Sequence, residues 1–441
     1  MKRLLSLLLC AVLALFCATT AQAAGVSITL TASEYALHYA FDAGAQDPFV
    51  ILEYTTPAEK GWMMLYSEDG HFEGDVSLAY SGAGGKTSVA LTSARTTGSI
   101  GKASTTLPKA ADYQKPTGKS NAKVTDFVLT ETPEGFHYAF NAAGTDYMLL
   151  YWRSKEQTVT QPVYPDENGH YEGDVISDLT FARTQFTVQV KSGSGSMKKE
   201  ATVRKGYQAP EAPQRQEGRL SGVTVCIDAG HQENGRFVNE PIGPGLSGST
   251  SGKGGMAQGT KTNRRESIVC LEIGMLLRDE LLRQGANVIM TREDQTTFHT
   301  NIERCEIAEA GGAQIMLRLH CNNSSNRSKR GIQVYGPLNS DYAKAVADAD
   351  TYREMGQKLL DAMKTRVGMT LANSTGMVRL NDNYVGNNWA KMMCFLVEMG
   401  YLSNPAEEYL LVTPVYQQWL AEGMADGVYE IAVARGWVQA Q

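Results

Sequence analysis

The chain has 441 residues, of which 42% are hydrophobic and 8% aromatic, so it can bury more than one core and is not a disordered chain. Its formal net charge is −6 at pH 7, which gives it no electrostatic attraction for nucleic acid or anionic lipid. Length, composition and charge therefore indicate a multidomain globular protein without a nucleic-acid partner.

The first 23 residues are predicted to be a secretory signal. Lys2 and Arg3 precede an apolar run over 4–16, and small residues follow it up to Ala23. This order is typical of a signal peptide, and we expect cleavage after Ala23. No other stretch approaches the roughly 20 apolar residues of a membrane-spanning helix. We therefore expect a mature protein with no membrane span, exported to the extracellular space, the cell wall or the periplasm.

Residues 24–208 contain two copies of one unit. His38 recurs as His137 and His71 recurs as His170, each within a matching phrase, and 99 residues separate the members of both pairs. A constant offset between two separate matches indicates tandem repeats.

Each copy is predicted to be a small β-sandwich domain, the first over 24–118 and the second over 119–208. Apolar residues alternate with polar ones in both copies, which is typical of half-buried strands separated by turns. His38 and His137 fall opposite the aromatic face of their strands, so we interpret the histidines of the repeats as solvated residues rather than a metal site.

A different domain is predicted after a polar, proline-rich linker over 209–219. Over 220–441, apolar strand-like runs alternate with helical periodicity, which indicates parallel βαβ units. We predict an α/β fold with an open, mostly parallel sheet covered by helices. The main predicted elements are strands over 223–227, 287–290, 315–319 and 393–397, and helices over 266–284, 343–367 and 415–434.

Three polar residues directly follow predicted strands of this domain, namely His231, His320 and Glu398. Ligands bind at the carboxyl ends of the strands in such sheets, so these side chains are candidates for one site. Two histidines and a carboxylate suit an open catalytic zinc site, with a nearby glutamate as the base that hydrolysis needs.

The third zinc ligand is open to more than one interpretation. Glu266 begins the long predicted helix and would point toward the strand ends. The spacing of Asn263 and Glu266 equally fits a variant of the capping box, in which the glutamate only caps the helix. His299 competes as a third histidine, but it lies in the middle of a loop, and we interpret it as an exposed loop residue.

The region 220–437 resembles the N-acetylmuramoyl-L-alanine amidase family known as Amidase_3. The matching pieces occur in order along the chain: Ile227-Asp228-Ala229-Gly230-His231, Glu266 with Leu271 and Ile273, Met290-Thr291-Arg292 with Asp294, Arg304, Leu319-His320-Cys321-Asn322, Gly331-Ile332-Gln333-Val334-Tyr335, and Val397 to Pro405. The resemblance covers the whole predicted C-terminal domain.

By this resemblance, His231, Glu266 and His320 would bind Zn²⁺, and Glu398 would be the catalytic glutamate. The implied reaction is hydrolysis of the amide bond between N-acetylmuramic acid and L-alanine in peptidoglycan. The long glycine-rich loop that runs from Gln232 to Gly259 departs from the family pattern and is expected to shape the cleft. No large insertion separates 335 from 393, so we expect the cleft to be accessible.

Two other functions compete with the amidase interpretation. A zinc peptidase or deacetylase could use the same four polar residues. A wall-binding protein could keep the fold without activity, with the repeats as its working part. If the chain is an enzyme, the repeats are expected to position it on another wall polymer or a protein partner.

Overall fold

The computed structural model describes residues 19–22, 26–57, 60–78, 82–96, 98–111, 122–132, 135–145, 147–153, 158–176, 184–192, 196–205, 209–232, 238–250, 256–368 and 378–440. The chain divides into two compact units, 1–117 and 118–441. No helix within these described ranges is long and apolar enough to cross a membrane. The expected cleavage site after Ala23 lies outside the described residues.

The first β unit, residues 19–111, consists of two antiparallel sheets. Its strands are β1 (Thr19–Gln22), β2 (Ser27–Ser33), β3 (Ala36–Asp42), β4 (Phe49–Thr55), β5 (Lys60–Tyr66), β6 (His71–Ser77), β7 (Gly85–Ser93) and β8 (Ser99–Leu107). One sheet has the order β1-β2-β3-β6 and the other β5-β4-β7-β8. Buried side chains of both sheets, such as Leu37 and Leu52, form one core between them.

The second β unit, residues 122–205, repeats this arrangement. Its strands are β9 (Lys123–Thr132), β10 (Gly135–Ala143), β11 (Met148–Arg153), β12 (Thr158–Val163), β13 (His170–Ile176), β14 (Thr184–Ser192) and β15 (Met197–Lys205). The sheets have the orders β13-β10-β9 and β12-β11-β14-β15, and they share one core. Phe140 stacks on Tyr171 with ring centroids 4.6 Å apart, as Phe41 stacks on Phe72 at 4.9 Å in the first unit.

The C-terminal domain combines a sheet with helices. Its elements are β16 (Thr224–Ala229), β17 (Glu240–Pro241), β18 (Ser249–Thr250), α1 (Glu266–Arg283), β19 (Asn287–Met290), α2 (Asn301–Ala310), β20 (Ile315–Asn322), β21 (Gln333–Gly336), α3 (Asp341–Val346), α4 (Ala349–Val367), β22 (Arg379–Leu380), α5 (Val385–Trp389), β23 (Met393–Tyr401), α6 (Glu407–Leu411) and α7 (Pro414–Ala434). Helix α1 packs against β16 and β20, and α4 packs against β21.

The six-stranded sheet of this domain is mixed, with the order β19-β16-β20-β23-β21-β22. Strands β19, β16, β20 and β23 are parallel, as predicted, whereas β21 runs antiparallel to β23. The connection over 323–332 contains no helix, and a parallel return needs a crossover of a dozen or more residues. The chain therefore turns back at the edge where β20 ends.

The helices differ from the prediction at two places. The single helix predicted over 343–367 is wrong, because α3 and α4 are separate helices. Asp348 accepts a hydrogen bond from the amide of Thr351 at 2.7 Å, and this cap starts a new helix. Helix α2 was not predicted, although Thr300 and Glu303 form a capping box at its start, which is a signal visible in the sequence.

The aromatic stack of the second β unit gives a test of its core. Replacing the fully buried Phe140 with alanine removes the ring that stacks on Tyr171. We expect Phe140→Ala to lower the free energy of unfolding by about 3–5 kcal/mol. The measurement is urea unfolding followed by the fluorescence of Trp152, which lies in this core.

Val128→Ala is the control, because Val128 is 55% exposed on β9 of the same unit. Its expected effect is within about 0.5 kcal/mol. Equal destabilisation by the two variants would contradict the proposed importance of the stack.

Candidate active site

Three candidate side chains meet at one edge of the sheet. Strand β16 ends at Ala229, shortly before His231, while His320 lies on β20 and Glu398 on β23. The register pairs Ala229 with Leu319 and His320 with Glu398. Because β16, β20 and β23 are adjacent parallel strands, their carboxyl ends bring these residues to the same level.

The backbone at His231 turns its side chain toward His320. His231 has a φ of 57°, in the left-handed region, which costs a non-glycine residue about 1–3 kcal/mol. The amide of Gly230 donates to the carbonyl of Leu319 at 2.9 Å, and Arg304 donates to the carbonyl of His231 at 3.2 Å. A Cβ on Gly230 would lie 2.6 Å from Cε1 of His320, so the close approach of the two chains requires glycine.

Glu266 is the first residue of α1 and is buried beside both histidines. Its Oε1 lies 3.1 Å from Nε2 of His231 and 3.0 Å from Nδ1 of His320. The amides of Ala257 and Cys321 donate to the carboxylate at 2.7 and 3.0 Å. These contacts fix the carboxylate between the loop before α1 and the strand β20.

The capping-box alternative for Glu266 is wrong. The N-cap of α1 is Arg265, so Glu266 occupies the first helical position rather than the third. Asn263 lies outside the helix with a φ of 53°. The carboxylate of Glu266 therefore does not cap the helix but points into the cluster with the histidines.

The three side chains of His231, Glu266 and His320 are arranged as a possible metal-binding group. Their ligand atoms all lie within 4.8 Å of one another, and the two imidazole centroids are 4.9 Å apart. Nε2 of His320 is buried and finds no hydrogen-bond partner among the residues that the structure describes. The ring nitrogens that face the Glu266 carboxylate are Nε2 of His231 and Nδ1 of His320, and these are the atoms that a shared cation would contact.

The electrostatics of this cluster suit a cation. Burial lowers the pKa of His320, which keeps its imidazole neutral, the form that binds metals. Burial alone would raise the pKa of Glu266, but the hydrogen bonds and charges of His231 and His320 outweigh it and hold that pKa well below its usual range. The cluster thus presents a neutral imidazole beside an ionised carboxylate.

Glu398 faces the same cleft from the next strand. Burial raises its pKa well above its usual range, and the negative charge of Glu266 adds to the effect. One of its oxygens, Oε2, is buried without a hydrogen-bond partner in the described part of the chain. A positive charge or a water molecule next to Glu398 would satisfy this oxygen.

A buried ion-pair network lies directly below the site, and the sequence alone assigned no role to it. Asp228 is fully buried and accepts hydrogen bonds from Arg304, from Arg318 at 2.9 Å and from Thr291 at 2.7 Å. Burial alone would raise the pKa of Asp228, but the two guanidinium groups outweigh it and hold the pKa well below its usual range. The sequence signal for this network is the presence of Asp228 and Arg318 within otherwise apolar strands, because charged residues are almost never fully buried unless they are paired.

The site opens into a cavity of about 720 Å³. His231, Glu266, His320 and Glu398 all line it. The glycine-rich loop also contributes to its wall through residues such as Thr250 and Met256, as expected.

His299 lines the same cavity and is half-buried, so the interpretation of His299 as an exposed loop residue is wrong. It lies immediately before the capped start of α2. The metal-binding group of ligand atoms within 4.8 Å of one another contains His231, Glu266 and His320 but not His299.

Comparison with known proteins identifies this part of the chain. Residues 225–430 match the family Amidase_3, described as N-acetylmuramoyl-L-alanine amidase. The C-terminal region is an Amidase_3 domain. The sequence resemblance over 220–437 is thereby confirmed.

Several relatives of the Amidase_3 domain are amidases by name. The germination-specific N-acetylmuramoyl-L-alanine amidase of Bacillus subtilis is 26% identical over 231 residues, which cover 49% of this chain and 83% of the relative. The probable cell wall amidase LytH of Staphylococcus aureus is 27% identical over 218 residues, covering 48% of this chain and 60% of that protein.

Solved structures similar to the Amidase_3 domain include the apo N-acetylmuramyl-L-alanine amidase Ami1 of Mycobacterium abscessus. It is 20% identical with a TM-score of 0.44, and the match covers 48% of this chain and 99% of that one. The catalytic domain of CwlV, an amidase from Bacillus (Paenibacillus) polymyxa, is 24% identical with a TM-score of 0.36, covering 49% and 99%.

The ion pairs of Asp228 give a test of how the Amidase_3 domain supports its site. We expect Asp228→Asn to lower the free energy of unfolding by about 3–5 kcal/mol at pH 7, because two buried guanidinium groups lose their counter-charge. The folded pKa of Asp228 lies below its ordinary value of 3.8, so its stabilising effect is full above that value and is lost as the pH falls toward the folded pKa. In urea unfolding, the difference in the free energy of unfolding between Asp228→Asn and the parent should therefore become smaller below about pH 4.

Asp350→Asn is the matched control, since Asp350 pairs with Arg353 while its side chain is 95% exposed. Its expected effect is about 0–1 kcal/mol. A small, pH-independent effect of Asp228→Asn would contradict the network as described.

Proposed function

We propose that the Amidase_3 domain hydrolyses the amide bond between N-acetylmuramic acid and L-alanine in peptidoglycan, with zinc as its cofactor. The observation that carries this proposal is the convergence of His231, Glu266 and His320 beside the buried Glu398 in one open cleft. The family match and the names of the relatives support the choice of bond. Export to the cell wall, which we also propose, agrees with the signal-like start of the sequence and with the wall amidase among the relatives.

The donor set fits zinc. Two imidazoles and one carboxylate are the ligands of an open catalytic zinc site, which keeps a position for water or substrate. Nε2 of His231 and Nδ1 of His320 lie 3.1 and 3.0 Å from Oε1 of Glu266, whose ionised carboxylate supplies the negative charge that a dication needs. His231, Glu266 and His320 would therefore hold the ion.

A zinc ion bound there supplies a Lewis acid for the scissile carbonyl and the attacking water, and its charge favours the ionised form of Glu398. Glu398 then accepts a proton from the attacking water. As the carbon–nitrogen bond breaks, the same carboxyl returns the proton to the amine of L-alanine, which leaves as a neutral group. The products are a muramic acid carboxylate and a peptide with a free amino terminus.

The remaining residues of the site hold these groups in position. The amides of Ala257 and Cys321 orient Glu266, and the turn at Gly230 sets the distance between the two imidazoles. Such fixed placement keeps reacting groups close to the geometry of the transition state.

The role of Glu398 is tested by replacing it with glutamine, which keeps the shape but cannot accept the proton. We expect Glu398→Gln to lower the release of amino groups from purified peptidoglycan by about 10²–10⁴-fold while zinc stays bound. In contrast, His320→Ala should lose both zinc and activity. Zinc content is measured by elemental analysis of the dialysed proteins.

Glu293→Gln serves as the control, because Glu293 is an exposed carboxylate in the loop after β19. It should keep the activity of the parent. Retention of full activity by Glu398→Gln would rule out Glu398 as the base.

The identity of the cleaved bond is tested by mass spectrometry of the released fragments. We expect complete stem peptides that begin with L-alanine, because hydrolysis of the lactyl amide leaves the peptide uncut. A zinc peptidase would instead release shortened peptides, and a deacetylase would release acetate without freeing any peptide. Either of those product patterns would contradict the proposed reaction.

A further inference from the structure

The outer face of one sheet of the first β unit carries an open cleft of about 680 Å³. This sheet has the order β5-β4-β7-β8, and its inner face packs into the core of the unit. In β7, Val89 and Leu91 are buried, so Ser88 and Ala90, which alternate with them, face outward. The volume of the cleft is within the roughly 300–1,000 Å³ that ligand sites in proteins occupy.

Small side chains form the floor of this lysine cleft, so named for the three lysines at its rim, Lys60, Lys86 and Lys102. The register places Ser88 of β7 between Thr55 of β4 and Ser104 of β8. These three side chains and that of Ala90 all line the cleft. Because none of them is long, a ligand can lie across the strands close to the backbone.

The lysines of the cleft lie on three different strands. Lys60 is on β5, Lys86 on β7 and Lys102 on β8, and all three are exposed. In the described part of the chain, none of the three forms an ion pair. The lining that the structure describes contains one carboxylate, that of Glu53. The cleft is therefore positively charged, although the formal net charge of the chain is −6.

The corresponding face of the second β unit is filled by side chains that pair with each other. Gln189 is the sixth residue of β14, as Ala90 is of β7, and Glu200 is the fourth residue of β15, as Lys102 is of β8. Both pairs lie opposite each other in their registers. Nε2 of Gln189 donates a hydrogen bond to the carboxylate of Glu200. The first unit therefore has an open, cationic surface at the place where the second unit has an internal hydrogen bond.

An exposed indole ring borders the lysine cleft. Trp62 of β5 is 39% exposed and lies opposite Glu53 in the register. It is two residues from Lys60 on the same strand, so both side chains are on the outer face of the sheet. The flat ring can pack on the C–H groups of a sugar, while ammonium groups form charge-assisted hydrogen bonds with anions. Together these groups suit a sugar polymer that carries negative charges.

We propose that the lysine cleft binds a glycan strand with free muramic acid carboxylates, the strand that remains after the stem peptides have been removed. The choice of this ligand rests on the proposed function, because hydrolysis of the lactyl amide leaves a carboxylate on each muramic acid that has lost its peptide. Lys60 and Lys102 lie on the two outer strands of the sheet, which are about 14 Å apart. Charges spread over this width suit anions that are repeated along a polymer better than one compact anion.

This binding distinguishes the product of the amidase reaction from its substrate. In uncut peptidoglycan, the lactyl group is bonded to L-alanine as an amide and has no charge. Each hydrolysed bond adds one negative charge to the strand, which strengthens its attraction to the lysines. The first β unit would therefore retain the enzyme on strands where hydrolysis has begun.

The test measures cosedimentation of the full chain with insoluble peptidoglycan whose stem peptides have been removed by a separate amidase. Glu398→Gln is present in every protein, so that the polymers stay unchanged during the measurement. We expect Lys60→Gln/Lys86→Gln/Lys102→Gln to weaken binding about 10-fold, because three charge pairs are lost. Lys60→Arg/Lys86→Arg/Lys102→Arg keeps the charges and should bind like the parent. Circular dichroism should be unchanged in both variants, since the three side chains are exposed.

The matched control is Lys109→Gln/Lys123→Gln/Lys199→Gln, which removes the same charge from exposed lysines of the β units outside the cleft. It should bind the stripped strand like the parent. Equal binding by this control and by the glutamine variant of the cleft would overturn the proposal.

Uncut peptidoglycan and a phosphate-bearing wall polymer are compared at the same salt concentration. We expect the parent to bind both more weakly than the stripped strand. Binding to either polymer that equals or exceeds binding to the stripped strand would also overturn the proposal. Because a separate amidase prepares the stripped strand, these results do not depend on whether the C-terminal domain hydrolyses peptidoglycan.

Discussion

The ion pairing of the buried Asp228 carboxylate is the interaction on which the candidate active site depends. It sits in β16 and binds Arg318 of β20, Arg304 of α2 and the hydroxyl of Thr291 after β19. A charge in this position is tolerated only because it is fully paired, and the pairing ties three neighbouring strands and a helix together. His231 lies shortly after the end of β16, and His320 lies two residues after Arg318 on β20. The left-handed backbone at His231 is held by the same network, since Arg304 also bonds to its carbonyl.

Above this network, the site is assembled from three separate pieces of chain that meet only in the folded protein. The end of β16, the start of α1 and the end of β20 each supply one side chain of the possible metal-binding group. Bringing carboxylates and imidazoles together in a buried place is unfavourable without a counter-charge. The carboxylate of Glu266 offsets part of this cost by accepting hydrogen bonds from two backbone amides. Nε2 of His320 and Oε2 of Glu398 are buried and have no hydrogen-bond partner among the described residues. A zinc ion held by His231, Glu266 and His320 would supply the positive charge that these carboxylates lack.

The sequence predicts the features that depend on local patterns. Strands β16, β19 and β23 and helices α1 and α7 begin within one residue of their predicted positions, because each has a strong hydrophobic period. His231, His320 and Glu398 could be grouped because residues at strand ends share one edge of a parallel sheet. The position of the Glu266 carboxylate depends on its contacts with Ala257 and Cys321, which local spacing does not reveal. The sequence alone therefore does not distinguish a helix-capping role from a place beside the histidines.

Other features were missed because distant parts of the chain determine them. Asp228 pairs with arginines that lie 76 and 90 residues further along the chain. The sequence shows only a charged residue within an apolar strand and does not identify its partners. The reversal of β21 follows from a short connection rather than from the composition of the strand. His299 lines the cavity just before the start of α2, which packs against α5, a helix distant in sequence.

The measurement that tests the central claim most directly is X-ray diffraction at the zinc absorption edge from crystals of the full chain grown with zinc. An anomalous peak within about 2.0–2.2 Å of His231, Glu266 and His320 is the predicted result. Zinc-containing crystals with no peak in this cleft, or with the cleft ion bound by a different set of residues, would contradict the account.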